Sequence, residues 1–226
     1  VKIRMNINSI STRIARYLAR EMHYDARKEA QLVFGLELYF AAIIKTGCIL
    51  ILAFLLGIFR ETLVIIIISG SLRLVSGGEH CTAFHRCLIG GALVFLFLGF
   101  VSQQLSYLIS VPALVVLSMV SLIVVFLVLL KYAPGDTANK PITDEKEKKR
   151  YRRLSLLVAA VYFSIILVFL YSGIFPVMVL LILVGLLWQA FMITPWGYKF
   201  IRGVDKLLLF CFKGGTDHGS EDINSR

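Results

Sequence analysis

Two of the chain's four histidines and two of its four cysteines fall within eight residues: His80, Cys81, His85 and Cys87. They sit in a polar segment that starts at Arg73, passes through the pair Gly77 and Gly78 and then Glu79, and ends with Arg86 beside Cys87. Residue types of this kind at short range suit two chemistries. In one, a cysteine thiolate attacks a carbonyl carbon while an imidazole takes the thiol proton and later returns it to a leaving amine. In the other, the two sulfurs and two imidazoles hold a soft metal. The metal reading is the weaker, because four ligands packed into eight residues do not close a tetrahedron without help. A metal transporter would also carry a set of ligands along its apolar segments, and here those segments hold Cys48 alone. A third reading, a plain polar turn, suits Glu79 and Arg86 but not the cluster as a whole.

Spacing alone leaves the reacting pair open. Cys81 and His85 are four apart and would meet on one face of a straight helix, whereas His80 and Cys87 share a face but lie about two turns apart, roughly 10 Å. The second pair can meet only if the chain bends between them, and the glycines at 77, 78, 90 and 91 tolerate irregular backbone. A thiol with an ordinary pKa near ~8.5 needs a positive neighbour to ionise at cytosolic pH, and Arg73 and Arg86 are at hand. Arg73 follows an apolar run, and an ionisable group at membrane depth is costly enough to be a functional candidate. Gly78 would let backbone turn sharply or approach closely. Glu79 could orient His80, although adjacent side chains on a helix diverge.

The elements that must position this segment are set by hydropathy. Of 226 residues, 58% are apolar and only 17% charged, with a mean hydropathy of +0.81. Soluble domains carry about one quarter charged residues, so a water-soluble enzyme is excluded and lipid must absorb the apolar excess. A net charge of +10 would suit nucleic acid or an anionic membrane, and the distribution decides for the membrane, because the bases lie between long uncharged runs. Four cysteines are too few for a disulfide framework. The first apolar run follows a basic stretch of thirty-odd residues, so no removable secretory signal is expected.

Residues 105–130, 154–175 and 176–194 contain no Asp, Glu, Lys or Arg and are near or above the ~20 residues that cross a hydrocarbon core. Residues 41–59 form a fourth span, with Lys45 able to snorkel. Residues 62–75 and 88–101 are shorter and bracket the polar segment 76–87. The expected fold is all-α, a polytopic membrane protein of about six transmembrane helices; four crossings with a re-entrant 62–101 hairpin fit the same signs. Residues 1–33 hold seven Lys or Arg, residues 131–153 eight and residues 196–226 five, whereas Arg60 is the only base near the opposite connections. The basic segments and residues 76–87 are therefore expected in the cytosol. Ile10, Ile14 and Leu18 repeat every four residues while Arg13, Arg16, Arg20 and Arg27 occupy other faces, the pattern of an amphipathic helix on a membrane surface or of a simple positive anchor. Residues 1–200 are read as one membrane-embedded domain and 201–226 as a cytosolic tail, disordered at 214–226.

Arg73, Gly77, Gly78, His80 and Cys87, together with a second motif that begins at Lys131, Tyr132, Ala133 and Pro134 and closes at Pro141 and Ile142, resemble the signature of the accessory gene regulator B family. The resemblance covers roughly residues 5–200. Members of that family are integral-membrane cysteine endopeptidases that process autoinducing-peptide precursors in Gram-positive bacteria. The resemblance implies that Cys87 is the nucleophile and His80 its base, with Arg73 and Gly78 supporting the site and with no cofactor or metal. It implies a homodimer in the cell membrane acting on a short precursor with an amphipathic leader and an acidic tail. Cys81 and His85 are extra to the family pattern.

On this expectation the acyl group stays on Cys87 as a thioester until an internal Cys or Ser of the precursor closes a thiolactone or lactone ring. Exchange of one thioester for another is nearly isoenergetic, and water exclusion favours ring closure over hydrolysis. Pro134, Asp136 and Pro141 would then contact substrate or simply shape the loop, Asp136 by binding backbone in a Pro-Gly-Asp turn and the prolines by stopping helices. The charged run 144–153 reads as a solvated face that could also attract an acidic tail. A transporter or exporter of a small peptide or metal is the competing class, but such proteins show internal repeats that are not visible here. A membrane sensor would need a soluble signalling domain for which the cytosolic segments are too short.

Overall fold

The computed structural model describes residues 2–79, 83–135, 144–173 and 176–213, with side chains for residues 8–211 among them. Within these residues the regular structure is helical: α1 (Lys2–Glu21), α2 (Ala26–Leu55), α3 (Phe59–Ser76), α4 (Phe84–Ser106), α5 (Val111–Tyr132), α6 (Glu145–Ser172), α7 (Pro176–Met192) and α8 (Pro195–Lys213). The six apolar runs fall in α2 to α7, so the all-α polytopic fold stands. Helices α2, α4, α5 and α6 are long and apolar enough to cross a membrane. α3 has 18 residues and carries Arg60, Glu61 and Arg73, and the 17-residue α7 reaches span length only together with α8, from which it is bent by 84°.

The chain forms two compact units, Val1–Leu52 and Ala53–Arg226. In the first, α1 turns at residues 22–25 and returns as α2, whose start is capped by Asp25 Oδ1 accepting from the Lys28 N–H at 3.0 Å. Asn8 hydrogen-bonds Glu37, and Arg16 lies 3.6 Å from Glu29, the register of an antiparallel pair. Ala15 and Ala19 are buried while Ile10 and Ile14 are exposed, so the apolar stripe of α1 is turned outward.

In the second unit α7 is the central helix. It has no charge, and Val179, Leu180, Leu181, Leu183 and Leu186 are fully buried, packed among α3, α4, α5 and α6. A helix that is apolar all round is stable only when enclosed or in lipid, and here its neighbours enclose it. Ile68 and Leu72 of α3, Val125 and Leu129 of α5, and Phe163 and Ile166 of α6 complete the core. Small residues permit the close crossings: a Cβ on Gly185 would stand 2.8 Å from Ile68 Cβ, and one on Gly99 of α4 would stand 2.3 Å from Thr62 Oγ1 of α3. Across the helices, Ser71 and Tyr162 share a hydrogen bond of 2.8 Å. The outer faces of α5 and α6 expose Met119, Ile123, Leu127, Leu157 and Leu167, the side chains that lipid would cover.

Three boundaries differ from expectation. The polar residues 102–104 continue α4 instead of forming a connection, because nothing there breaks a helix. Gln103 donates to the Gly57 carbonyl at 3.2 Å and Ser106 bonds back to Gln103 at 2.7 Å, and the turn comes only at 107–110, before Pro112. The run 144–153 is the first part of α6, since Asp144 caps that helix by accepting from the Lys146 N–H at 2.9 Å. At the other end Gly173, in the left-handed conformation at φ 65°, closes α6. Finally, helix continues past residue 200 as α8, where a tail was expected; residues 214–226 lie outside the described residues.

Candidate active site

The two sequence motifs meet at the end of α3. That helix stops at Ser76 because Gly77 and Gly78 take φ values of 74° and 130°, a region that costs L-residues with a side chain. At this point Gly77 and Gly135 form an isolated parallel bridge, and the Gly135 N–H donates to the Ser76 carbonyl at 2.7 Å. There is room for neither side chain, since a Cβ on Gly77 would stand 2.6 Å from the Gly135 carbonyl oxygen and one on Gly135 would stand 2.8 Å from the Tyr198 hydroxyl. Pro134 lies between this bridge and Ala133, whose carbonyl accepts from Arg152 Nε at 2.8 Å. It terminates α5, which ends at Tyr132.

Arg73 reaches forward over the glycine turn. Its Nη2 donates to the Glu79 carbonyl at 2.5 Å, and the guanidinium stands 3.6 Å from where a Gly78 Cβ would be. Arg73 thus holds the backbone immediately before His80. Gly78 is required here by its backbone angle, since a side chain would meet only ordinary contacts. Cys87 lies in the first turn of α4, its N–H bonded to the Ala83 carbonyl at 3.0 Å, and it is partly buried. The first turn of a helix presents the positive end of the backbone dipoles, which favours an anion nearby.

His80 and Cys81 lie outside the described residues, as do Asp136 and Pro141. Ala83 is extended, with φ −125° and ψ 144°, and α4 begins at Phe84, so His85 and Cys87 both lie in the first turn of that helix. Among the described residues no three His, Cys, Asp or Glu side chains could share a metal ion.

Four further side chains bind the site together, and sequence reasoning missed them. Gln189 of α7, 1% exposed, donates through Nε2 to Ser76 Oγ and to the Gly77 carbonyl, both at 2.9 Å. On α8, Asp205 Oδ1 stands 3.3 Å from Arg86 Nε, with the two side chains only 14% and 11% exposed, and Arg202 Nε stands 3.8 Å from Glu79 Oε2. The Tyr198 hydroxyl closes over Gly135. Arg86 is therefore paired with an acid, and the Glu79 carboxylate faces Arg202. The available signals were slight: Gln189 is the one amide in the run 176–194, and Asp205 the one acid in 195–213.

Gln189→Leu withdraws both donors from the buried Ser76 hydroxyl and Gly77 carbonyl. The expected cost is about 1–3 kcal/mol of stability, read as an earlier thermal transition in detergent. Should the transition stay in place, the amide is not what fastens the glycine turn to α7.

Comparison with known proteins agrees with the motif reading. The family model described as Accessory gene regulator B matches residues 11–193, a stretch that includes both motifs. AgrB-like protein 2 of Clostridium perfringens strain 13, a name that itself records likeness, is 29% identical over 207 residues, covering 88% of this chain and 96% of that one. An AgrB-like protein of C. perfringens strain SM101 is 26% identical over 206 residues with the same coverage. One from Listeria monocytogenes serotype 4a is 25% identical over 195 residues, 85% of this chain and 91% of the relative. No solved structure matches.

Proposed function

The chain belongs to the accessory gene regulator B family, and on that premise we propose that it is a membrane cysteine endopeptidase that cuts a short precursor peptide and passes the acyl group to a ring-closing nucleophile. The observation that carries the reading is the union of the two motifs. Gly77 and Gly135 are bridged backbone to backbone, with Arg73 on the Glu79 carbonyl, so the chain entering His80 is braced from three sides, by its own helix, by the loop after α5 and by Gln189 of α7.

In the reaction His80 takes the Cys87 proton and the thiolate attacks the scissile carbonyl. The C–N bond breaks, the imidazolium returns the proton to the departing amine, and a thioester remains on Cys87. A thiol or hydroxyl of the same precursor then gives its proton to His80, attacks the thioester carbonyl and displaces Cys87 as its thiolate, closing the ring. The buried junction of α3, α5 and α7 keeps water from one side of the site, which favours ring closure over hydrolysis. The site opens to the cytosol, where the basic segments lie and where a ribosomal product arrives.

The test is reconstitution in liposomes with the short peptide encoded beside the protein, read by mass spectrometry. A cyclised product and a covalent Cys87 adduct are expected. Strong chelators should leave the rate unchanged and thiol alkylation should remove it. Loss on chelation with recovery on adding zinc would move the chemistry to a metal.

A further inference from the structure

Helix α8 presents three different arcs: one is packed against protein, and the other two are largely exposed, although Phe200 rests its ring on Trp188 and Phe191 and Arg202 reaches Glu79. With roughly 100° between successive residues, Tyr198, Ile201, Val204, Asp205 and Leu208 share the side that faces the site. Ile201 is buried, a Cβ on Gly90 of α4 would stand 3.0 Å from Val204 Cγ1, and Tyr198 and Asp205 make the contacts with Gly135 and Arg86 given above. A second arc carries Trp196, Phe200, Leu207 and Phe210, 71%, 40%, 63% and 78% exposed. The third, beside it, carries Lys199, Arg202 and Lys206, all exposed, with Lys199 Nζ 5.0 Å from the centre of the Trp196 ring.

The turn into this helix is built to be sharp. Thr194 Oγ1 accepts from the Gly197 N–H at 3.2 Å, capping α8 directly after the last turn of α7, and a Cβ on Gly197 would stand 2.3 Å from the Phe191 carbonyl oxygen. The bend of 84° sets α8 across the axis of α7, as an interfacial helix lies across a helix that enters the bilayer.

We propose that α8 docks on the anionic phospholipid surface of the leaflet that bears the site, and that this seat holds the inner arc, through Asp205 and Tyr198, against Arg86 and Gly135. An apolar arc flanked by bases places aromatic and aliphatic groups among the acyl chains with ammonium and guanidinium groups at the phosphates. A second copy of the chain fits less well, because a twofold contact through this face would bring the basic arc against itself. The consequence for the site depends on the peptidase reading above; the docking does not.

The experiment uses the full chain with Trp188→Phe, which leaves Trp196 as the one indole, in phosphatidylcholine vesicles with and without phosphatidylglycerol. Bromine on the lipid acyl chains should quench Trp196, more strongly when phosphatidylglycerol is present. Cleavage by the otherwise unaltered protein should be several-fold faster with phosphatidylglycerol, and Lys199→Gln combined with Lys206→Gln should erase that difference. Trp196 that brominated lipid leaves unquenched overturns the docking, and equal cleavage rates in the two vesicles overturn the coupling to the site. If neither vesicle supports cleavage, the peptidase reading fails while the quenching still decides the docking.

Discussion

Cys87→Ala is expected to abolish precursor cleavage, with a loss of at least ~10³-fold, because in the proposed mechanism no other path to the acyl intermediate remains without that thiol. His80→Ala has a comparable effect. Both proteins insert into the membrane at normal levels, since the apolar runs that direct insertion are unchanged. Cys81→Ala and His85→Ala retain most of the activity. The contrast follows from the proposed pair of Cys87 and His80, to which Cys81 and His85 are extra. Cleavage is followed with a tagged precursor, and membrane-fraction levels are measured for each variant. An inactive Cys81→Ala beside an active Cys87→Ala would reverse the assignment.

Asp205→Ala leaves the Arg86 guanidinium buried at the root of α4 without the carboxylate now 3.3 Å away. Removing one member of a buried ion pair costs about 3–5 kcal/mol, and with the pair directly before Cys87 the rate falls together with the stability. Arg86→Ala does the same from the other side. The double variant Arg86→Met with Asp205→Leu recovers most of the stability, because two apolar groups of similar size remove the desolvation cost along with the attraction. Thermal unfolding in detergent separates these cases. A double variant no more stable than the single ones would mean that the charges hold α8 through other partners.

Much of the fold was legible because a membrane span must be long, apolar and nearly free of charge, and those are local properties. The six runs, the eight bases in residues 131–153 against Arg60 alone near the opposite connections, and the polar cluster between two short runs all follow from that demand. Where boundaries shifted, the deciding signal was a cap or an absent breaker. Asp144 and Gly173 mark the ends of α6 more faithfully than its hydropathy does, and residues 102–104 are polar without being helix-breaking.

The sequence by itself determined which residues could do chemistry and that lipid surrounds them, since residue type and hydropathy need no partner to be read. It could not determine what fastens the glycine turn after α3 and the start of α4. The bridge from Gly77 to Gly135, the amide of Gln189 on that turn, and the acid of Asp205 on Arg86 join positions far apart in the chain. Each depends on how closely the helices approach, and that distance is fixed by packing: by Gly185 against Ile68, by Gly99 against Thr62, and by the bend that Gly197 allows between α7 and α8. An isolated Gln in an apolar run or an isolated Asp in a basic helix has no local signature of a partner, because a buried polar group acquires its meaning only when tertiary structure brings the group that satisfies it.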